Sequence, residues 1–295
     1  MSVAFAEPRL SDWIGEIREQ GYCIVPGIMP KSKVQAIHND LKDRFERTPF
    51  CEGEFYGSHT KRFGGLLKRS AHAAAFVQQP LILDIAQTLL GPFCDSIQLN
   101  LTQALEIWPG EWEQVPHRDQ DMWRGPIGEI EYLINIMWPF TPYRKENGAT
   151  LIWPNSHRRQ DENIIDRGEA IAAEMNPGDA LVYLGSTMHG AGANITAAPR
   201  AGMIISYSLG WLKPFENQWL VYPPEIARTF PPDLAALAGY RMHRPNLGNY
   251  EGQSPSVLLQ DEVPEYLHSV DGLRADQAEL IAEFKARQRT GSVLG

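Results

Sequence analysis

A chain of 295 residues, 43% hydrophobic and 21% charged, has ordinary globular composition and can bury a full core without disulfides. Its formal charge of −9 argues against a nucleic-acid or anionic-membrane partner, and no stretch approaches the roughly 20 apolar residues that span a bilayer. The three cysteines, Cys23, Cys51 and Cys94, are scattered and odd in number, which excludes a zinc ribbon or a disulfide framework.

In chain order, the opening MSVAFAEPRLSDW lacks a basic stretch followed by an apolar one, so no signal peptide is expected and the expected location is cytoplasmic. Ser11 is placed to cap a short helix through Trp13, Ile14 and Ile17 that stops at Gly21. Tyr22 to Val25 reads as a strand. Ser32 opens a second helix with Val34, Ile37, Leu41 and Phe45 at helical spacing, and Leu81 to Leu90 reads as a third, ended by Gly91-Pro92. From Ser96 the texture changes. Ile97, Leu99, Leu101, Leu105 and Ile107 alternate as a half-buried strand requires, with Gln98, Asn100 and Thr102 sharing the opposite face, which is solvated or, in a barrel, lines the cavity. Apolar runs at 132–138, 150–153, 180–184 and 203–212 follow, separated by turn signals such as Glu146-Asn147-Gly148 and Asn176-Pro177-Gly178-Asp179. Leu280, Ile281 and Phe284 then mark one face of a closing helix. The expectation is a single domain over 1–295, mainly β with helical decoration. Helices fill about 10–90, a sandwich or barrel core about 96–212, and a helical segment about 223–290.

The chemistry is concentrated in Val115-Pro116-His117-Arg118-Asp119-Gln120-Asp121. On extended chain, residues two apart project to one side, so His117 and Asp119 can reach one ion. Two histidines and one carboxylate on one face of an octahedron leave three open positions, the arrangement of non-haem iron(II) oxygenases. His189, in the glycine-rich run Gly185-Ser186-Thr187-Met188-His189-Gly190-Ala191-Gly192, supplies the second imidazole. Eleven residues later, Arg200 offers the planar fork that grips a carboxylate, as a dicarboxylate co-substrate needs. His38, His59, His72, His157, His243 and His268 lack a comparable acidic partner and β context.

These segments resemble the phytanoyl-CoA dioxygenase superfamily of Fe(II)- and 2-oxoglutarate-dependent oxygenases. The likeness is strongest to the natural-product branch of fungal meroterpenoid oxygenases and verruculogen synthase. The matching stretches are KRFGGLLKRS (61–70), QLNLTQALEI (98–107), QVPHRDQDMW (114–123), ENGAT (146–150), MHGAGAN (188–194) and YSLGWLKPFENQ (207–218). The resemblance implies a double-stranded β-helix, or jelly-roll. It implies iron ligation by His117, Asp119 and His189, and a 2-oxoglutarate pocket of Arg200 completed by Gln114 and Thr150. It also implies O2 as co-substrate, and a homodimer is common in this branch.

Met122 and Trp123, directly after the metal motif, are the first choices for substrate contacts, with Phe63, Met137 and Trp211 behind them. Their apolar character points to a hydrophobic small-molecule substrate. Lys61, Arg62, Lys68 and Arg69 read as a solvated basic face, with binding of an acyl-CoA's phosphates as the alternative. Two rivals stand outside the oxygenases. A non-catalytic cupin-like binding module would not need an intact ligand set, and a zinc hydrolase using the same three ligands would leave Arg200 without a task.

Overall fold

In the computed structural model, which describes residues 9–126, 128–159 and 167–289, helices lead as the periodicity predicts. Most of the opening segment read for a signal peptide lies outside the described residues. Helix α1 (Leu10–Gln20) buries Ile14 and Ile17 and ends at Gly21, whose φ of 88° suits glycine. It starts one residue before Ser11, because the Asp12 carboxylate accepts the Arg9 amide at 2.8 Å. Strand β1 (Tyr22–Val25) follows, and α2 (Lys31–Arg47) turns Val34, Ile37, Leu41 and Phe45 into one buried stripe. After β2 (Thr60–Gly64) and the short α3 (Ala73–Val77), the Gln79 side chain caps α4 (Pro80–Leu90) by accepting the Ile82 amide.

The β-rich segment supplies β3 (Ile97–Ile107), β4 (Leu133–Pro139), β5 (Thr150–Ile152), β6 (Ile171–Ala172), β7 (Ala180–Leu184), β8 (His189–Ala191) and β9 (Arg200–Leu209). Two antiparallel sheets result, one ordered β1-β7-β4-β9-β3-β2 and the other β6-β5-β8. Their inner faces share one apolar cluster: Leu101, Leu105, Met137, Leu181 and Ile204 from the large sheet meet Ile152 from the small one. This is the expected jelly-roll, two sheets packed face to face.

Strand β3 departs from simple alternation. Its register to β9 passes from Leu99–Tyr207 to Leu101–Ser206, so Asn100 is a bulge residue. Beyond the bulge Leu101, Gln103, Leu105 and Ile107 turn into the space between the sheets. Thr102 turns the other way, accepting the Leu66 amide and bonding the Tyr222 hydroxyl. Asn100 and Thr102 are therefore fully buried rather than solvated, and Asn100 lines the cavity between the sheets, the alternative the sequence left open.

Helix α5 (Gln218–Val221) closes the first of two compact units, which part after Tyr222, close to where the sequence places the start of its C-terminal helical segment. In the second unit α6 (Pro224–Ala227) and α7 (Pro232–Leu237) build a small core of Ala227, Ala235 and Tyr240. Its last helix, α8 (Ala275–Arg289), buries none of its residues, and Leu280, Ile281 and Phe284 lie exposed. Among the described residues no helix is long and apolar enough to cross a membrane.

Candidate active site

The chain from Gln114 to His117 runs along the free edge of β8. The Gln114 amide donates to the Ala191 carbonyl, and His117 and His189 exchange both backbone hydrogen bonds. The chain then tightens into a 3-10 turn, Asp119–Trp123, whose Gln120 amide donates to the Gly185 carbonyl. These bonds bring His117, Asp119 and His189 together, with one ligand-type atom from each within 4.8 Å of the others.

The Nδ1 of His117 lies 2.9 Å from the Val115 carbonyl, and that of His189 lies 3.0 Å from the Thr187 carbonyl. A carbonyl only accepts, so each Nδ1 carries the proton and each Nε2 turns toward Asp119, at 3.5 and 3.4 Å. Ring packing fixes both imidazoles, with Phe55 edge-on to His117 at 4.9 Å and Tyr183 beside His189 at 4.6 Å. Burial opposes the charge on Asp119, yet the adjacent His189 and His117 outweigh it and hold the carboxyl well below its usual range. In His189 burial pulls the other way and the Asp119 charge prevails, raising it. Nitrogen lone pairs and a carboxylate facing one another draw positive charge to the point between them. That donor set fits a divalent transition metal.

A cavity enclosing about 750 Å³, solvent at its mouth included, opens in front of this cluster between the two sheets. Arg200, only 1% exposed at the start of β9, lines it. One guanidinium nitrogen donates to the Gly148 carbonyl, and the group lies over the Tyr143 ring at 4.2 Å. Its Nε and Nη1 are buried with no partner. Unpartnered donors on two nitrogens of a buried guanidinium fit an anion such as a carboxylate, since buried donors are otherwise bonded. Gly148, at φ 84°, and Gly192 let the neighbouring loops pack backbone to backbone here: a Cβ at Gly192 would meet the Ala149 carbonyl at 2.9 Å. Thr150, on β5 opposite Ala191, lines the same cavity. Gln114 lines it too, but both ends of its amide are engaged: Oε1 accepts the Ala191 amide and Nε2 donates to the Phe55 carbonyl.

Of the five expected substrate contacts, Met122 and Met137 line the cavity. Phe63, Trp123 and Trp211 are not among the lining residues. Phe63 packs on Phe45 at 4.8 Å, the Trp123 indole donates to the Lys213 carbonyl, and the Trp211 indole donates to the Phe93 carbonyl. The basic quartet is not one solvated face either. Lys61 is buried, its ammonium donating to the carbonyls of Phe45 and Glu46 at the end of α2, and Arg69 donates to the Gly64 carbonyl. Lys68 is exposed. Arg62 turns inward, lines the cavity beside Gln103 at 3.1 Å, and keeps a buried Nε without a partner.

Tyr183, Phe55 and Asn135, whose amide donates to Asp119 at 3.0 Å, were not expected at the site, and Arg62 was expected only within a surface basic group. A signal existed for two of them. Arg62 alternates with buried positions in a strand, and Asn135 interrupts an apolar run.

The phytanoyl-CoA dioxygenase (PhyH) family model matches residues 17–202. Dioxygenase cdmD of Talaromyces verruculosus is 30% identical over 268 residues, 81% of this chain and 86% of the relative. Dioxygenase FrzG of Cladobotryum sp is 31% identical over 260 residues, 77% and 84% of the two chains. Among solved structures, the non-heme alpha ketoglutarate dependent epimerase SnoN from nogalamycin biosynthesis aligns with a TM-score of 0.57 at 20% identity, over 68% of this chain and 81% of its own. HygX from Streptomyces hygroscopicus, solved with nickel, 2-oxoglutarate and hygromycin B, aligns with a TM-score of 0.55 at 13% identity, over 69% and 88%. The match to the family model spans more than half of the sequence and includes both histidines, Asp119 and Arg200, and the chain belongs to the phytanoyl-CoA dioxygenase family.

Proposed function

We propose that this dioxygenase binds iron(II) through His117, Asp119 and His189. With 2-oxoglutarate and O2 it oxidises a C–H bond of a hydrophobic small molecule, releasing succinate and carbon dioxide. One observation carries the reading. Three convergent ligand atoms and a buried guanidinium with two unpartnered N–H groups share one cavity. Iron in that position supplies the oxygen and C–H chemistry. The protein's share is binding, orientation and exclusion of water.

Arg200 takes the distal carboxylate of 2-oxoglutarate, and Thr150 lines the same cavity. Arg62 gives the cavity a second cation for the carboxylate at the keto end. Gln114 acts by tying the Phe55 segment to β8, which keeps the Phe55 ring against His117. Leu101, Leu105, Ile107, Met137 and Ile204 form an apolar wall, and Met122 stands at the rim. Hydroxylation is the simplest outcome: one oxygen atom enters the product and the other enters succinate. Desaturation and rearrangement start from the same loss of hydrogen.

A free natural-product-like substrate fits better than an acyl-CoA. Lys61 and Arg69 are spent on backbone carbonyls and Arg62 points into the cavity, so the quartet offers no shared phosphate cradle. Iron-loaded protein should be incubated with 2-oxoglutarate and panels of terpenoids, alkaloids, aromatic polyketides and acyl-CoAs. Substrate-stimulated succinate release with an oxidised product is expected from the first three groups. Stimulation by acyl-CoAs alone would overturn the substrate class, and no 2-oxoglutarate consumption with any of them would overturn the reaction.

A further inference from the structure

Strand β4 reads Leu-Ile-Asn-Ile-Met-Trp-Pro, and all of it is buried. Asn135 breaks this apolar run at the middle of the large sheet, with no exposure to solvent. Asparagine is depleted in strands, and an amide buried there is costly unless it is bonded. Its Oδ1 has no partner. Its Nδ2 has one, Oδ2 of Asp119, at 3.0 Å. Only the NH2 end of an amide can face an ionised carboxylate, so the orientation is dictated by Asp119.

The two residues differ in how firmly they are held. Asn135 is paired to Tyr183 on one side and Ser206 on the other, so its backbone is locked within the sheet. Asp119 begins a short 3-10 turn outside both sheets, and its side chain is 23% exposed. A carboxylate in that place is free to turn either oxygen, or both, toward an ion.

We infer that Asn135 is a positioning residue for Asp119: its amide holds Oδ2, the oxygen 3.4 Å from His189 Nε2, and so fixes the direction in which the carboxylate meets an ion shared with His117 and His189. This rests on the ligand set proposed above. Without that donor the carboxylate can rotate away from the point between the two imidazoles, where all three ligands have to meet. Donors behind a metal ligand fix its orientation in this way, and losing one weakens metal binding about 10- to 100-fold.

The test uses the full chain, freed of metal, and Co(II) as the probe. Wild type, Asn135→Leu, Asn135→Ser and Asp119→Ala are titrated with Co(II) without oxygen, and the dissociation constant, the visible d–d spectrum and the melting temperature of the metal-free protein are recorded. Leucine is close in shape to asparagine, so the metal-free variant should melt near wild type. Both Asn135 variants should bind Co(II) about 10- to 100-fold more weakly, with an altered visible spectrum. A purely structural asparagine would shift the melting temperature and leave the spectrum alone. If Asn135→Leu does not fold, the smaller polar Asn135→Ser carries the comparison. The inference is overturned if the folded variants bind within about twofold of wild type with an unchanged spectrum while Asp119→Ala has lost binding. If Asp119→Ala itself binds Co(II) like wild type, the ligand set fails instead.

Discussion

His117 and His189 face each other across a sheet edge and exchange both backbone hydrogen bonds, each amide donating to the other's carbonyl at 2.9 Å. Two imidazoles far apart in sequence are thereby brought side by side by backbone pairing, with their rings 4.4 Å apart. The side chain of Asp119 takes no part in that pairing, so the architecture of the site does not depend on it.

Asp119→Ala should therefore keep the fold and lose the metal. Iron(II) affinity is expected to fall by at least about tenfold and 2-oxoglutarate turnover to vanish, with the circular dichroism spectrum unchanged. Iron content after anaerobic loading is the direct measurement. Wild-type iron content and turnover in this variant would remove Asp119 from the ligand set.

Arg200→Ala should act on the co-substrate. The guanidinium has two buried N–H groups free for a carboxylate, and a charge-assisted pair contributes about 1.5–3 kcal/mol, or tenfold and more in affinity. The KM for 2-oxoglutarate should rise by that factor while the KM for the oxidised substrate changes little. Arg200→Lys should restore only part, because an ammonium cannot reproduce the planar fork or its stacking on Tyr143. Unchanged dependence on 2-oxoglutarate would leave Arg200 as a bolt between β9 and the Gly148 turn.

The sequence carried more of the metal site than of the cavity, for a physical reason. His-x-Asp on extended chain and a histidine among glycines are local patterns, and the turn chemistry around Gly148 is local too. What lines a cavity depends on strand register. The single bulge at Asn100 splits the apolar stripe of β3, so that Leu101, Leu105 and Ile107 line the cavity while Ile97 and Leu99 do not. Nothing in QLNLTQALEI announces that bulge. The aromatic residues were misleading in the same way. Trp123 and Trp211 have an indole N–H that finds a backbone carbonyl at the protein's surface, a partner no periodicity reveals.

Lys61 separates stability from substrate recognition. Its buried ammonium holds two carbonyls at the end of α2, so Lys61→Glu should destabilise by about 1.5–3 kcal/mol or more, lowering the melting temperature by roughly 3–12 °C. Lys68→Glu, on an exposed side chain, should melt within about a degree or two of wild type. Neither should alter which panel compounds stimulate turnover. If Lys68→Glu selectively abolished stimulation by an acyl-CoA, a phosphate contact would be present after all.

Met122, Phe63 and Trp123 differ in what each touches. Met122 is 44% exposed at the cavity rim, so truncating it removes substrate contact without opening a hole in the core. Met122→Ala should raise the KM for whichever panel compound is oxidised and change the ratio of its products, with melting temperature and 2-oxoglutarate KM unaffected. Phe63→Ala is the converse. Phe63 is 7% exposed and packed on Phe45, so truncation should cost about 3–5 kcal/mol of stability with no selective effect on substrate KM. Trp123→Phe keeps the ring and deletes the N–H that reaches the Lys213 carbonyl. Because Phe215, two residues on, lines the cavity, a loosened 213–215 segment should shift substrate KM by less than Met122→Ala does. Steady-state kinetics and thermal melts on the three variants decide the matter. A Phe63→Ala protein that stays folded but no longer discriminates among substrates would place the substrate on the wrong side of β2 for the cavity described above.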